Sequence, residues 1–390
     1  MPKSNSNNIH WHPFNGRGDQ ISEDSLNLPE SPPWRTFQAK SPDIDNKQDS
    51  WSRLLALAKE KQKDIDRGRK FRLPEPPEAD PNKTENEQDK DNKIRKSVQS
   101  VIAGVNAALC LRRPLLVTGK PGSGKTSLAY ALAYQLKLGP VLKWPITART
   151  TLLDGLYRYD AIARLQESRL QTKDDNPEEN QNQEEDQNQE EDIGSYITLG
   201  PLGTAFLPSY LPRVLLIDEI DKSDINLPND LLNLFEEGEY FIPELKRWLK
   251  KNPRKEVTVF TEDAGIEAQL TEGVVGCAAF PIVVMTSNGE RDFPPAFKRR
   301  CIRITMPNPR QEGLKTIVES HFGAAKFMDA NEKISGLVTD FVKKTENNED
   351  LATDQLLNVI YMLTGGEDSV LSEEELKELL FRSLSKPEGI

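Results

Sequence analysis

An apolar run that leads into a glycine-rich loop is the part of this sequence with the clearest chemistry. Residues 114–118 are Pro-Leu-Leu-Val-Thr. The residues that follow fit the pattern GxxxxGK[ST] over its full length: Gly119, Lys120, Pro121, Gly122, Ser123, Gly124, Lys125 and Thr126. Glycines let backbone N–H groups approach a phosphate closely, the lysine charge reaches the β- and γ-phosphates, and the final hydroxyl can bind Mg²⁺. Residues 127–136 predict a helix whose N-terminus adds partial positive charge. The loop therefore predicts binding of a nucleoside triphosphate with Mg²⁺.

Two adjacent carboxylates after a second apolar run predict the other half of this site. Residues 214–217 are Val-Leu-Leu-Ile, which is typical of a strand buried on both faces, and Asp218 and Glu219 follow directly. Asp218 would hold Mg²⁺, and Glu219 would polarise an attacking water. An isolated acidic pair after a strand is more often a solvated turn. Its place after the phosphate loop favours the catalytic interpretation.

A third apolar run, residues 281–287, ends at Asn288, and an arginine pair follows it. If this strand lies between the two motif strands, Asn288 would lie beside the γ-phosphate, where its amide can orient water. Arg300 would lie too far from its own site to reach it, and could act at a neighbouring subunit as an arginine finger. Arg299 is the alternative candidate for the arginine finger. The alternatives are a strand-end cap for Asn288 and a solvated basic cluster for the arginines.

The order of these four motifs resembles that of the AAA+ ATPases, and the flanking residues resemble the MoxR branch. The narrower resemblance rests on residues 199–202, 218–222, 231–238 and 286–300, and the whole resemblance covers roughly residues 93–385. It implies an α/β P-loop NTPase fold with a parallel five-stranded sheet, an inserted hairpin and a C-terminal helical lid. It also implies that the ligands are ATP and Mg²⁺.

The resemblance implies partners as well. Proteins of this branch form rings, for which six copies are expected, and remodel or activate a partner protein. Pro-Pro-Trp-Arg at 32–35 and Trp-Pro-Ile-Thr at 144–147 resemble members that act beside a von Willebrand factor A-type adaptor and an effector. The sequence departs from the family at Asp354, near the position where lids usually carry a phosphate-sensing arginine. This departure leaves open how hydrolysis is coupled to lid motion.

Composition predicts how the chain is divided. Hydrophobic residues make up 36% of the sequence, below the roughly 45–50% of ordinary globular chains, and the net charge is -11. Residues 1–92 are poor in apolar residues, so we expect a largely disordered arm with one helical stretch at 51–66. Residues 173–192 hold ten carboxylates and one lysine, and predict a disordered acidic insertion. The nucleotide-binding domain is then 93–306, and the lid is 307–390.

Element boundaries follow from periodicity and from Gly and Pro. We expect a helix at 94–111, a helix at 227–237 closed by Gly238, and a last sheet strand at 302–306. Residues 257–260 and 276–279 predict the inserted strand pair. Four lid helices are expected, at 310–321, 331–344, 351–363 and 373–384.

Cysteine usage and hydropathy predict the compartment. Cys110, Cys277 and Cys301 lack zinc-type spacing and cannot all pair, which fits a reducing environment. His10, His12 and His321 are too scattered for a metal site. No run approaches 18 apolar residues, so the expectation is a cytoplasmic protein without a membrane partner.

The leading interpretation is an AAA+ ATPase that hydrolyses ATP at subunit interfaces. A monomeric P-loop kinase is disfavoured by Glu219, which activates water rather than an acceptor. A nucleic-acid motor is disfavoured because the chain outside the acidic insertion is nearly neutral. A nucleotide-dependent scaffold with little hydrolysis stays open because of Asp354.

Overall fold

The computed structural model describes eleven stretches of the chain and leaves gaps between them. The described residues are 13–21, 30–37, 47–74, 84–174, 193–209, 211–252, 256–308, 311–323, 331–346, 351–364 and 373–381. Residues 175–192 of the predicted acidic insertion and the histidines His10 and His12 lie outside them.

Eleven strands and fourteen helices are assigned within these residues. The strands are β1 (Leu115–Thr118), β2 (Leu142–Pro145), β3 (Tyr157–Tyr159), β4 (Ile197–Leu199), β5 (Val214–Asp218), β6 (Glu239–Phe241), β7 (Glu256–Phe260), β8 (Glu267–Thr271), β9 (Val274–Gly276), β10 (Ile282–Ser287) and β11 (Ile302–Thr305). The helices are α1 (Lys47–Glu60), α2 (Gln62–Lys70), α3 (Glu85–Leu111), α4 (Lys125–Gln135), α5 (Leu152–Leu156), α6 (Ala161–Asp174), α7 (Pro201–Ala205), α8 (Leu227–Glu237), α9 (Pro243–Leu249), α10 (Pro295–Arg300), α11 (Gln311–Phe322), α12 (Asn331–Glu346), α13 (Thr353–Thr364) and α14 (Glu373–Leu380).

A five-stranded parallel sheet is the centre of the nucleotide-binding domain. Its strand order is β11-β1-β10-β5-β2. Strand β10 therefore lies between β1 and β5, which is the condition on which the role suggested for Asn288 depends, and the carboxyl ends of all three strands meet at one edge. The α/β P-loop fold class expected from the sequence is confirmed.

Both faces of this sheet are covered, which explains the unbroken apolar runs in the sequence. Alternate residues of β5 point to opposite faces. Leu215 and Ile217 belong to one core with α7 and α8, whereas Val214 and Leu216 belong to a second core with α3 and α4. All residues of β10 are buried.

Helix α8 begins and ends as its local sequence predicts. Pro228 lies in its first turn, where a missing N–H costs nothing, and Gly238 ends it with a φ of 70°. A side chain at this left-handed position would be strained. The prediction of a helix over 227–237 is confirmed.

The inserted hairpin is present, but its second strand differs from the prediction. Strand β7 pairs antiparallel with β8, not with residues 276–279. Strand β9 instead pairs with β6. The β8 residues Glu-Ala-Gln-Leu-Thr are only weakly apolar and only Leu270 is buried, so the sequence carried little strand signal there.

The arm is folded over much of its described length, which corrects the expectation of a largely disordered segment. Helices α1 and α2 are separated only by Lys61, and the apolar side chains of this segment join the core beside α3 and α4. Those side chains are Phe14, Trp51, Leu54, Phe71 and Leu73. Such widely spaced anchors do not raise the average hydrophobicity, and this is why composition alone suggested disorder.

Four helices follow the sheet and form a third core of their own. Helices α11 to α14 lie within a few residues of the predicted lid helices. The lid packs closely against the phosphate loop at Gly122. A Cβ at this position would lie only 2.5 Å from the backbone nitrogen of Thr353.

The three cysteines lie in the described part of the chain, where they contribute to packing. All three are free thiols. Burial raises the pKa of Cys277 and of Cys301 to about 12, so both stay protonated near neutral pH. In the same described residues, no cluster of His, Cys, Asp and Glu could enclose a metal by itself, and no helix has the length and hydropathy of a membrane span.

Candidate nucleotide-binding site

The phosphate loop has the backbone that its glycines predict. Gly119, Gly122 and Gly124 have positive φ angles of 147°, 71° and 85°. Glycine adopts such angles without strain, and a Cβ at Gly122 would lie 2.5 Å from the backbone nitrogen of Thr353 in the lid. The loop between β1 and α4 therefore has the backbone conformation that a phosphate-binding loop requires.

Lys125 lies inside this loop and is 7% exposed. Its Nζ donates hydrogen bonds to the carbonyl oxygens of Gly119 (2.7 Å) and Lys120 (2.9 Å). Burial lowers the pKa of Lys125, and the nearby carboxylates Asp221, Asp218 and Glu219 oppose that shift. A bound phosphate would supply the negative charge that this buried ammonium group lacks within the loop.

Asp218 and Thr126, the two predicted Mg²⁺ ligands, are in contact. The hydroxyl of Thr126 donates to Oδ1 of Asp218 over 3.0 Å. Lys143 on β2 lies 3.2 Å from Oδ2 of the same carboxylate. A hydroxyl and a carboxylate side by side at the loop are hard oxygen donors of the kind that Mg²⁺ prefers alongside phosphate oxygens.

Thr286 is hydrogen-bonded to both acidic residues, a role that was not predicted from the sequence. Its hydroxyl donates to Oδ1 of Asp218 over 2.8 Å and accepts a hydrogen bond from the backbone N–H of Glu219 over 2.8 Å. Thr286 is 1% exposed. The sequence contained one indication of this role: Thr286 lies two residues before Asn288, at the end of a strand that neighbours β5.

Glu219 occupies an unusual backbone position at the sheet edge. Its φ is 64°, which is uncommon for a residue with a side chain and often marks a functional turn. Lys222 donates to its Oε2 over 2.8 Å, and this bond raises the pKa of Lys222. The Glu219 carboxylate is about half exposed, so a water can reach it.

Asp221 fixes the loop that carries Asn288. Its buried Oδ2 accepts hydrogen bonds from the backbone N–H groups of Asn288 (2.9 Å) and Glu290 (3.2 Å). This carboxylate ties the end of β10 to the turn after β5. Asp221 belongs to residues 218–222, which carry part of the family resemblance, but the sequence predicted no role for it.

One cavity of about 460 Å³ brings most of the predicted site residues together. It is lined by the phosphate loop from Pro121 onward and by Asp218, Glu219 and Asn288. Thus the structure joins the first three motifs at the carboxyl edge of the sheet, where ligands of open α/β sheets bind.

The arginine pair lies outside this cavity. Nε of Arg300 donates to Oε1 of Glu236 over 2.7 Å, and Arg299 is exposed. Both residues end α10. The structure therefore does not bring Arg299 or Arg300 to the nucleotide site of their own chain.

The lid and the arm complete the cavity wall in a way the sequence did not predict. The lid contributes Asp354 in the first turn of α13, and His321 on α11. The arm contributes Arg67, Lys70 and Arg72. Because the arm was expected to be largely disordered, its basic residues were not predicted to line the site.

Removing the Thr286 hydroxyl is expected to slow hydrolysis. In Thr286→Val the N–H of Glu219 loses its buried partner and Asp218 loses one donor, at a cost of about 1–3 kcal/mol. We expect kcat to fall by about 10- to 100-fold with nearly unchanged ADP affinity, as measured by phosphate release and by calorimetry. Thr286→Ser keeps the hydroxyl and should retain activity. Equal rates for the Val and Ser variants would show that the hydroxyl has no positioning role.

A comparison with known protein families agrees with this geometry. Residues 114–301 match the family model described as AAA domain (dynein-related subfamily). No curated protein matches the sequence. Among solved structures, the chain is similar to NtrX from Brucella abortus in complex with ADP, at 13% identity and a TM-score of 0.35. That alignment covers 74% of this chain and 58% of NtrX.

A presumed ATPase from Cytophaga hutchinsonii ATCC 33406 is similar at 13% identity and a TM-score of 0.31, with 86% of this chain and 89% of that one covered. The assignment rests on the family model and on the site. The match identifies residues 114–301 as an AAA domain. The phosphate loop after β1, the carboxylate pair after β5 and the strand order β11-β1-β10-β5-β2 are those of an ATP hydrolase with this domain.

Proposed function

We propose that the protein is a MoxR-like AAA+ ATPase that hydrolyses ATP at interfaces between its own subunits and uses the resulting motion to remodel or activate a partner protein. The proposal rests on one observation: the predicted catalytic groups are divided between the cavity and the surface outside it. Lys125, Asp218, Glu219 and Asn288 share one cavity, whereas Arg300 lies outside it. A second subunit can supply the missing cation.

The residues in the cavity fit a nucleotide with Mg²⁺. Lys125 would bind the β- and γ-phosphates, and Thr126 and Asp218 would hold the cation, which when bound neutralises phosphate charge. Glu219 would accept a proton from the attacking water as its oxygen bonds to the γ-phosphorus and the bond to ADP breaks. Asn288, anchored through its backbone by Asp221, would orient that water.

A neighbouring subunit's Arg300 would stabilise the charge that develops on the transferred phosphoryl group. Its hydrogen bond to Glu236 holds the guanidinium group at the surface, at the end of α10. We further propose a ring of six copies and a protein partner, with a von Willebrand factor A-type adaptor as the partner class. The support for this partner class is the resemblance of residues 32–35 and 144–147 to such members.

A second candidate is a nucleotide-dependent scaffold that rarely hydrolyses ATP. One observation favours it: the lid places the carboxylate Asp354, rather than an arginine, in the cavity wall. A negative charge there would not stabilise a phosphate.

Hydrolysis measured against protein concentration distinguishes the two functions. If active sites form between subunits, the rate per subunit rises with concentration, and ATP shifts the protein to a larger species on size-exclusion chromatography. Lys125→Ala should lose both effects because it cannot hold the phosphates. A rate per subunit that is constant over a hundredfold range of concentration would contradict shared sites. ATP-dependent assembly with no turnover would favour the scaffold.

A further inference from the structure

The arm turns a basic surface toward the nucleotide cavity. Arg67 and Lys70 lie in the last turn of α2, and Arg72 follows that helix. All three line the same cavity as the phosphate loop. The lid side of this cavity carries Asp354 instead of an arginine, so the arm is the source of additional positive charge.

Arg67 is fixed at the start of the helix that follows the phosphate loop. Its Nε donates a hydrogen bond to the hydroxyl of Ser127 over 3.0 Å. Its guanidinium carbon lies 4.6 Å from the centre of the Tyr130 ring. Ser127 is the residue directly after Thr126, in the first turn of α4, whose N-terminus faces the phosphates. These contacts hold the guanidinium group at the mouth of the loop.

Close packing keeps α2 in this position. Gly68 lies against α4 so tightly that a Cβ there would approach the backbone oxygen of Tyr130 to 2.5 Å. On its other side, the hydroxyl of Ser320 on α11 lies 3.4 Å from the backbone oxygen of Lys70. Helix α2 therefore contacts both the phosphate-loop helix and the lid.

We propose that Arg67 is a nucleotide-binding residue that contacts the phosphate chain of the bound nucleotide, so that the arm forms one wall of the nucleotide site. This inference rests on the proposed nucleotide binding at this cavity. The ligand class is a nucleoside di- or triphosphate. Arginine suits this role because its planar group of N–H donors matches phosphate oxygens.

The contact is with a phosphate that ATP and ADP share. Arg67 is bonded to Ser127, whereas the groups that would act on the γ-phosphate, Glu219 and Asn288, are positioned from β5 and β10. Arg67 therefore binds both nucleotides. It does not act as a sensor of the γ-phosphate and does not replace the lid arginine in that respect.

The test compares two neighbouring arginines of α2. In Arg67→Gln, the affinities for ADP and for ATP should each fall by about 10-fold, as expected for the loss of a charged hydrogen bond. Arg69→Gln makes the same charge change on the same helix, but Arg69 pairs with Asp66 at 2.8 Å and does not line the cavity. Its nucleotide affinities should equal those of the parent protein. Calorimetry with each nucleotide measures both variants.

Adenosine, which has no phosphate, separates a phosphate contact from a packing effect. Adenosine affinity should be the same in Arg67→Gln and in the parent protein. An equal loss for adenosine and ADP would overturn the proposal, as would equal nucleotide affinities for Arg67→Gln and Arg69→Gln. Failure of the parent protein to bind ATP or ADP would instead contradict the proposed function of the cavity itself.

Discussion

Replacing Glu219 with glutamine is expected to abolish turnover while ATP stays bound. The amide cannot accept the proton of the attacking water, and loss of a general base slows such reactions by about 10²- to 10⁴-fold. The shape of the turn should survive, because the N–H of Glu219 keeps its bond to Thr286 and an amide oxygen can still accept from Lys222. Single-turnover phosphate release and nucleotide binding measure the two effects separately.

ATP affinity in Glu219→Gln should equal or exceed that of the parent protein. The substitution removes one negative charge beside the γ-phosphate, so repulsion between the carboxylate and the triphosphate falls. Glu237→Gln is the matched control, since it makes the same change at an exposed residue at the end of α8. Phosphate release from Glu219→Gln at the rate of this control would show that another group activates the water.

Local sequence was sufficient to predict the phosphate loop and the polar residues that follow the buried strands, because each of these is a short motif. Gly119, Gly122 and Gly124 adopt backbone angles that favour glycine, so the loop is specified by its own residues. Asp218 and Asn288 follow buried strands, and neighbouring parallel strands bring their ends together. The order of β1, β10 and β5 then fixed which motifs meet.

The roles of Thr286 and Asp221 could not be predicted in the same way. Each acts through a hydrogen bond to a residue on another strand or loop, and those partners are known only once the sheet register is known. Nothing in the local sequence distinguishes Thr286 from Ser287. Their contribution depends on tertiary structure.

The arm shows the limit of composition as a guide to order. Phe14 is fully buried and Trp51 is 8% exposed, yet the residues around them are polar. Burial of a few large side chains against an existing core can offset the ordering entropy of a short segment. Because these contacts are distant in sequence, neither α2 nor its arginines were predicted to reach the nucleotide cavity.

Replacing Arg300 with alanine is expected to remove turnover without loss of ATP binding. Arginine fingers contribute about 10³- to 10⁵-fold to the rate of phosphoryl transfer, and Arg300 lies outside its own cavity, so ATP binding does not depend on it. Steady-state hydrolysis and ATP titration of the same preparation measure the two properties. Arg299→Ala, at the exposed neighbouring residue, should retain most activity; a large loss in that variant alone would transfer the role to Arg299.

Mixing two inactive variants tests directly whether the finger acts on a neighbour. In a ring with head-to-tail interfaces, a Glu219→Gln subunit still offers Arg300, and an Arg300→Ala subunit still offers Glu219. One kind of interface therefore contains both groups, and random assembly of equal amounts makes it about a quarter of all interfaces. The mixture should regain activity that neither variant has alone. If Arg300 acted within its own subunit, every subunit of the mixture would lack one of the two groups in its own site, and the mixture would stay inactive.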